Sequence, residues 1–372
     1  MVCLPDLPGP RIPPFSNTNH SLKIVFLQRL GIGGDATVWK IEIDQQVYAL
    51  KIFGFGNFLY YESKVPKILQ ENGVTSELIH PYRDPFTSEC RAFGRLQETN
   101  NEHLAVKCFG YIILTEAQEQ LLINAGGAND TPIERDDERL AGEPLRCIVK
   151  EYIETPGSIQ HHQFPQLIRD LYAVHRLGIV VSDIRAGNCI LGDNADTFNN
   201  LNGVMMDFSR SLTVPHPYLL PAFQERLYTN TWKSQPTARG DEENFDAMID
   251  RYNRMIDMGL MKGPRVWTRL RPNDKFKARL RQRSDDSIKI PRYPRVRAEL
   301  YDWQGAQRER DRLNNDSNPV VAVKDVEDKQ LSEEAEKDPS EQSDRKLPPK
   351  DKGGKGKKNK KKRKTKAKKK RH

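Results

Sequence analysis

The sequence predicts an α+β fold with an antiparallel sheet first and helices after it. Three observations support this. Residues 23–53 read as strand, glycine loop, strand, polar turn, strand. Residues 164–177 carry an apolar stripe at helical spacing. Residues from about 313 onward are poor in aromatics and segregated by charge, which reads as a disordered charged tail.

Residues 23–30 (KIVFLQRL) form the first strand candidate and lead into Gly31-Ile32-Gly33-Gly34. Residues 37–43 and 47–53 follow as strands, joined by the polar turn Asp44-Gln45-Gln46. Residues 89–96 have helical character, and residues 104–114 and 146–153 read as further strands. In residues 164–177, positions 164, 167, 168, 171, 172 and 174 are apolar, and Gly178 stands where a helix would stop. Ile190-Leu191 and Val204-Met205-Met206 flank a polar insertion, as in a small hairpin. Past Asp207 one strong helix is expected, with Phe245, Met248, Ile249, Tyr252, Met255 and Ile256 on one face and Gly259 near its end. The Pro-rich residues 1–20 read as irregular.

The chain has 372 residues, room for one large domain or two modest ones. No apolar run approaches the roughly 18 residues of a membrane span, and residues 1–15 lack the apolar core of a signal peptide. Five scattered cysteines point to reduced thiols rather than a disulfide or zinc framework. The net charge of +9 is a property of the tail. Residues 345–372 hold seventeen Lys or Arg and one Asp, and residues 316–344 hold ten Asp or Glu and three Lys. The remaining 315 residues sum to zero.

The chemistry-bearing residues cluster in order. Asp183 is followed five residues later by Asn188, and Asp207-Phe208 comes nineteen residues after that. In phosphoryl transfer such an Asp accepts the proton of the attacking hydroxyl, while the Asn and the second Asp hold Mg²⁺ on nucleotide phosphates. An Asp on a turn capped by an Asn is the plainer alternative. Gly31, Gly33 and Gly34, with Val38 beyond them, suit a loop covering phosphates; a simple turn between two strands makes the same pattern. Lys51 interrupts an apolar run, where an unpaired ammonium is costly. Glu89 is the chosen helical partner for it, with Glu62, Glu71 and Glu77 as competitors and a solvated helical Glu as the bland reading.

Taken together, the Gly-rich loop, Ala49-Leu50-Lys51, Glu89, Glu151-Tyr152-Ile153, His175-x-x-Gly178-Ile179, Asp183-x-Arg185-x-x-Asn188 and Asp207-Phe208 resemble the eukaryotic protein kinase fold over about residues 22–215. The phrases SECRAFGRLQE, LAVKCFGYIIL, SDIRAGNCI and MDFSRS look more narrowly like fungal kinase-like proteins grouped with a subunit of the Sim4 kinetochore complex. The resemblance implies a two-lobed fold. Residues 21–154 would be the sheet-bearing N-lobe and residues 155–312 a shortened helical C-lobe. An acidic linker (313–344) and a polybasic tail (345–372) would follow. It also implies ATP and Mg²⁺ as cofactors. Lys51 would contact phosphates and Glu89, Glu151 would lie at the adenine hinge, and Asp183 would be the base. Arg185 would steady the transferred group, and Asn188 and Asp207 would be metal ligands. Val181 and Ser182 stand where kinases carry His and Arg, Ser209 replaces a Gly, and no Ala-Pro-Glu follows.

Three functions follow from this reading. The first is an ATP-dependent protein-kinase-like phosphotransferase. The second is a pseudokinase scaffold in a kinetochore or chromatin assembly. The third is a small-molecule kinase, which Val181 disfavours because the usual pattern there is His-x-Asp. The tail suggests a nuclear or nucleolar address and weak, non-specific nucleic-acid binding, with no membrane contact.

Overall fold

Five antiparallel strands from the first half of the chain form one sheet, in the order β1-β2-β3-β5-β4. The computed structural model describes residues 4–15, 22–55, 65, 67–127, 140, 142–154, 159–190, 204–220, 237–267, 288–290, 294 and 296–317. β1 (Ile24–Ile32), β2 (Ala36–Ile43) and β3 (Gln46–Phe53) form a meander. The β2–β3 turn places Asp44 and Gln45 at φ 51° and 65°. That is the left-handed two-residue geometry whose twist matches the strands it joins.

Helices α1 (Ser76–Arg83) and α2 (Pro85–Glu98) come next, then β4 (Cys108–Ile113), α3 (Glu116–Leu122) and β5 (Arg146–Glu151). Asp84 fixes the start of α2. Its Oδ2 accepts from the Thr87 amide at 2.9 Å, and Pro85 takes the first helical position. Arg146 of β5 holds both Asp84 oxygens at 3.0 Å, so the same carboxylate caps the helix and ties it to the sheet.

Side-chain alternation divides the sheet into two faces. Ile41, Leu50, Ile52, Cys147 and Val149 are buried in one cluster with Leu122 of α3. Phe53 and Ile148 belong instead to the larger cluster that includes Cys90, Phe93 and Leu96 of α2. Lys51 and Lys150 alternate with the first set, so they face α2. Each fully buried large apolar side chain contributes on the order of 1.5–3 kcal/mol.

The larger cluster continues through α4 (Phe164–Arg176), β6 (Ile179–Val180), β7 (Cys189–Ile190) and β8 (Val204–Met205), while Leu212 of β9 (Leu212–Thr213) is buried in a separate cluster with Val180 and Val214. β6 pairs with β9, and β7 with β8, both antiparallel. Helix α5 (Ala238–Asp257) packs on α4, with Phe164 edge-on to Phe245 and Tyr252 at 6.0 and 5.2 Å. β10 (Val266–Trp267), β11 (Ile288–Lys289) and α6 (Trp303–Ser317) follow. These belong to one compact unit, Met1–Asn318.

The fold is α+β, and several expectations need correction. Residues 4–15 are irregular in secondary structure yet packed: Ile12 is 2% exposed. Among the described residues two helices follow Asp207 rather than one, because α6 carries only Trp303, Ala306 and Leu313 as apolar residues and shows too weak a stripe. Trp303 packs against the cluster that includes Leu212, Val214 and Ala298, and Arg310 pairs with Glu98 of α2 at 2.6 Å. α6 also continues past residue 313. Helix α3 was not expected: its seven residues are too few for a periodic signal. The insertion at 191–203 and the acidic and polybasic segments beyond 318 lie outside the described residues. Among the described residues no helix is long and apolar enough to cross a membrane.

Candidate functional site

Lys51 sits in the middle of β3, 7% exposed. Its Nζ donates to Glu89 Oε2 at 2.7 Å and to Asp207 Oδ1 at 2.8 Å. Glu89, on α2, is fully buried, and its other oxygen accepts from Lys150 of β5. Lys150 Nζ also donates to the Met206 carbonyl at 2.7 Å. Two ammonium groups and two carboxylates thus form a cluster without net charge. The desolvation cost of burying each is offset by its neighbours. Glu89 is the glutamate that meets Lys51; Glu71 and Glu77 are exposed, and Glu62 lies outside the described residues.

Electrostatics follow from this packing. Burial alone would push the Asp207 carboxyl up, but the Lys51 and Lys150 ammonium groups hold it well below the usual carboxylate range. Burial likewise acts to lower Lys51, and Glu89 and Asp207 outweigh it, so its pKa is raised.

Asp183, Arg185 and Asn188 form a second group. Asn188 Nδ2 donates to the Asp183 carbonyl at 2.9 Å and to its Oδ2 at 3.0 Å. Asn188 Oδ1 accepts from Arg185 Nε at 3.1 Å, and Arg185 stays largely exposed beside Asp183 at 3.3 Å. The amide of Met206 donates to the Asn188 carbonyl at 3.0 Å, which brings Asn188 beside the segment carrying Asp207.

The loop bearing Asp183 is fixed from below by Asp241 of α5, which is fully buried. Its Oδ2 accepts from the Val181 amide at 2.7 Å, and its Oδ1 from the Ser182 amide at 2.6 Å. His175 Nε2 lies 2.9 Å from Oδ2.

The glycine loop joins β1 to β2. Gly31, Gly33 and Gly34 are exposed, and Val38 pairs across the sheet with both Gly31 and Lys51. None of the three glycines has a positive φ, and a Cβ on Gly31 or Gly34 would meet open space. The turn itself therefore does not require Gly31 or Gly34, whereas a Cβ on Gly33 would crowd the Ala36 carbonyl at 3.3 Å. Asp35 pairs with Arg210, three residues after Asp207, at 3.2 Å. Glu151 ends β5, and its amide donates to the Lys107 carbonyl at 2.9 Å.

Among the described residues no group of three or more His, Cys, Asp or Glu can hold a metal ion. A hard cation carried by phosphates needs only one or two protein oxygens. Asp207 is ionised, and its Oδ2 carries no hydrogen bond among the described residues, so this oxygen fits that role. Asn188 Oδ1 would have to release Arg185 to join it. With Lys51 alongside, the donor set suits a polyphosphate and its cation.

Lys150 and Asp241 were missed from sequence. Lys150 had the same signal as Lys51, a lysine closing the apolar run Cys147-Ile148-Val149. Asp241 looked like an ordinary acidic residue favouring a helix start; only the fold shows that it reaches residues 181 and 182.

A family model described as Kinetochore Sim4 complex subunit FTA2 matches residues 1–212. That span holds Lys51, Glu89, Lys150, Asp183, Asn188 and Asp207. No curated protein matches the chain.

Proposed function

Because this chain belongs to the kinetochore Sim4 complex subunit FTA2 family, we propose that it serves at the kinetochore, within the nucleus, as a scaffold subunit built on a protein-kinase-like fold. The family match carries this reading, since it covers 212 of 372 residues and names a complex rather than a reaction. The kinase-like fold is supported by the order of elements around the site. It is supported too by the way Asp241 holds the backbone just ahead of Asp183. Kinetochore or chromatin proteins are the partners this reading requires. The tail at 345–372 adds a non-specific hold on nucleic-acid phosphates.

A second reading is favoured by one observation: Lys51 bonds Glu89 and Asp207 at once. Here the site takes ATP with Mg²⁺. Lys51 and the backbone of Gly31, Gly33 and Gly34 meet the phosphates, Val38 and the Glu151 segment flank the base, and Asn188 and Asp207 hold the metal. The cation neutralises phosphate charge. Asp183 is placed to accept a hydroxyl proton and Arg185 to steady the transferred group. Gly31 and Gly34 support this, since the turn gives no other reason for them.

Thermal denaturation of the full chain with and without Mg²⁺–ATP tests the nucleotide site. A raised Tm that Asp207→Asn abolishes supports it; an unchanged Tm removes it. Transfer of γ-phosphate by the purified chain, lost in Asp183→Ala, would replace the scaffold with an enzyme.

A further inference from the structure

The N-terminal segment fills a groove between α2 and β4. Its residues 4–15, LPDLPGPRIPPF, include five prolines, bend at Pro8-Gly9 and then run alongside Tyr111 of β4 through a bridge at Pro14. The Tyr111 amide of β4 donates to the Pro13 carbonyl at 3.2 Å, and the Phe15 amide donates to the Tyr111 carbonyl at 2.9 Å. On the α2 side the Ile12 amide reaches the Cys90 carbonyl at 3.2 Å. Ile12 joins the buried cluster that includes Phe86, Cys90 and Phe93.

Two glycines make room for the segment. A Cβ on Gly94 would lie 2.5 Å from the Arg11 backbone, and one on Gly110 would lie 2.7 Å from Pro13 O. Gly94 is in the interior of α2, where glycine is otherwise unfavourable, so the close approach is its evident reason.

Arg91 couples this groove to the site. It is 2% exposed. One guanidinium nitrogen donates to the Pro8 carbonyl at 2.8 Å, and the other to the Thr213 and Pro215 carbonyls at 3.0 and 2.6 Å. Two residues earlier on the helix, and so on a different side of it, Glu89 meets Lys51 and Lys150. Helix α2 is therefore held by the N-terminal segment, by the stretch after Asp207 and by the lysine cluster.

We propose that the groove between α2 and β4 is a peptide-binding site for an extended, proline-rich segment, filled in cis by residues 4–15, and that its occupancy keeps α2 placed for Glu89 to meet Lys51 and Lys150. Prolines suit the role, because a segment already held extended loses little entropy on docking. Emptying the groove would loosen the charged cluster. The consequence for nucleotide affinity rests on the second reading above; the structural coupling does not.

The test uses the full chain as wild type, Gly94→Ala and Ile12→Asp. Gly94→Ala blocks the groove with a Cβ while favouring the helix; Ile12→Asp spoils the segment and leaves the groove intact. Cys90, buried with its thiol pushed up, reports opening through alkylation mapped by mass, and trypsin reports it through cleavage after Arg11. Both variants should label Cys90 about tenfold faster or more, and exchange amide hydrogens faster in residues 85–98 and 204–216. A synthetic peptide of residues 4–15 should restore protection to Ile12→Asp and not to Gly94→Ala, a pattern that simple misfolding does not produce. The proposal is overturned by any of three results: Cys90 labelling as slow as in wild type, an opened segment with unchanged exchange in 85–98 and 204–216, or failure of the peptide to restore Ile12→Asp. Mg²⁺–ADP binding measured on the same proteins separates the two readings: its absence in wild type overturns the nucleotide site alone.

Discussion

Asp241 Oδ1 accepts the Ser182 amide at 2.6 Å while Ser182 is held at φ 66°. A non-glycine residue in the left-handed region costs on the order of 1–2 kcal/mol, so the carboxylate sustains a strained backbone immediately before Asp183. Replacing Asp241 with Ala removes both amide contacts and the His175 contact from a fully buried position. We predict a loss of about 3–5 kcal/mol, read by urea denaturation, from unpaired buried polar groups.

Ser182→Gly should act in the opposite direction. It relieves the left-handed strain and removes a buried hydroxyl that has no hydrogen-bond partner among the described residues. Glycine's greater freedom in the unfolded chain offsets part of this, leaving a gain of up to about 1 kcal/mol. The same denaturation measurement decides it; a loss of stability would show that the strain is not real.

The lysine cluster predicts non-additivity. Lys51→Met leaves Glu89 paired with Lys150, and Lys150→Met leaves it paired with Lys51. Each single change should cost about 1–3 kcal/mol, while the double change strands a fully buried carboxylate and should cost more than the sum. In Lys51→Met the stability lost on acidification should become smaller and should be complete at a higher pH. The lowered pKa of folded Asp207 gives stability that is present above the ordinary carboxylate value and lost as pH falls toward the folded one. Losing Lys51 narrows that gap.

Asp170 carries the reverse sign. Burial pushes its carboxyl up to about 6. Its ionisation therefore lowers stability as pH rises from about 4 to about 6. Asp170→Asn should be more stable than wild type by about 2 kcal/mol at pH 7, with the difference vanishing below about pH 4. Melting curves across that range check it.

The tail prediction is independent of the fold. Binding of the full chain to nucleic acid should weaken steeply with salt, by a log–log slope of about −0.7 to −0.9 per phosphate neutralised. Removing residues 345–372 should abolish it. Unchanged binding would place the contact elsewhere.

The sheet and the two long amphipathic helices were legible because their periods are local properties of sequence. Residues 39–43 alternate, residues 47–53 form an apolar run broken only by Lys51, and Phe164 to Val174 recur at helical spacing. Glu89 could be chosen as the partner of Lys51 because it lies in a helical stretch. What escaped the sequence depends on distant contacts. α6 has only a weak apolar stripe and is held by Trp303 on a buried cluster and by Arg310 on Glu98. Asp241 acts on amides sixty residues earlier. The Pro-rich segment 4–15 looked irregular because its hydrogen bonds go to other elements, and Gly94 gave no hint of the backbone it accommodates.

The scaffold reading meets its most direct test in a cell whose own copy of this chain is replaced by Asp183→Ala. Asp183 is only partly buried, so the variant should fold and accumulate normally. The account predicts normal kinetochore localisation and chromosome segregation. A segregation defect in cells where the variant is stable and correctly localised would contradict it, and would mean that chemistry at Asp183, not assembly, is what the chain supplies.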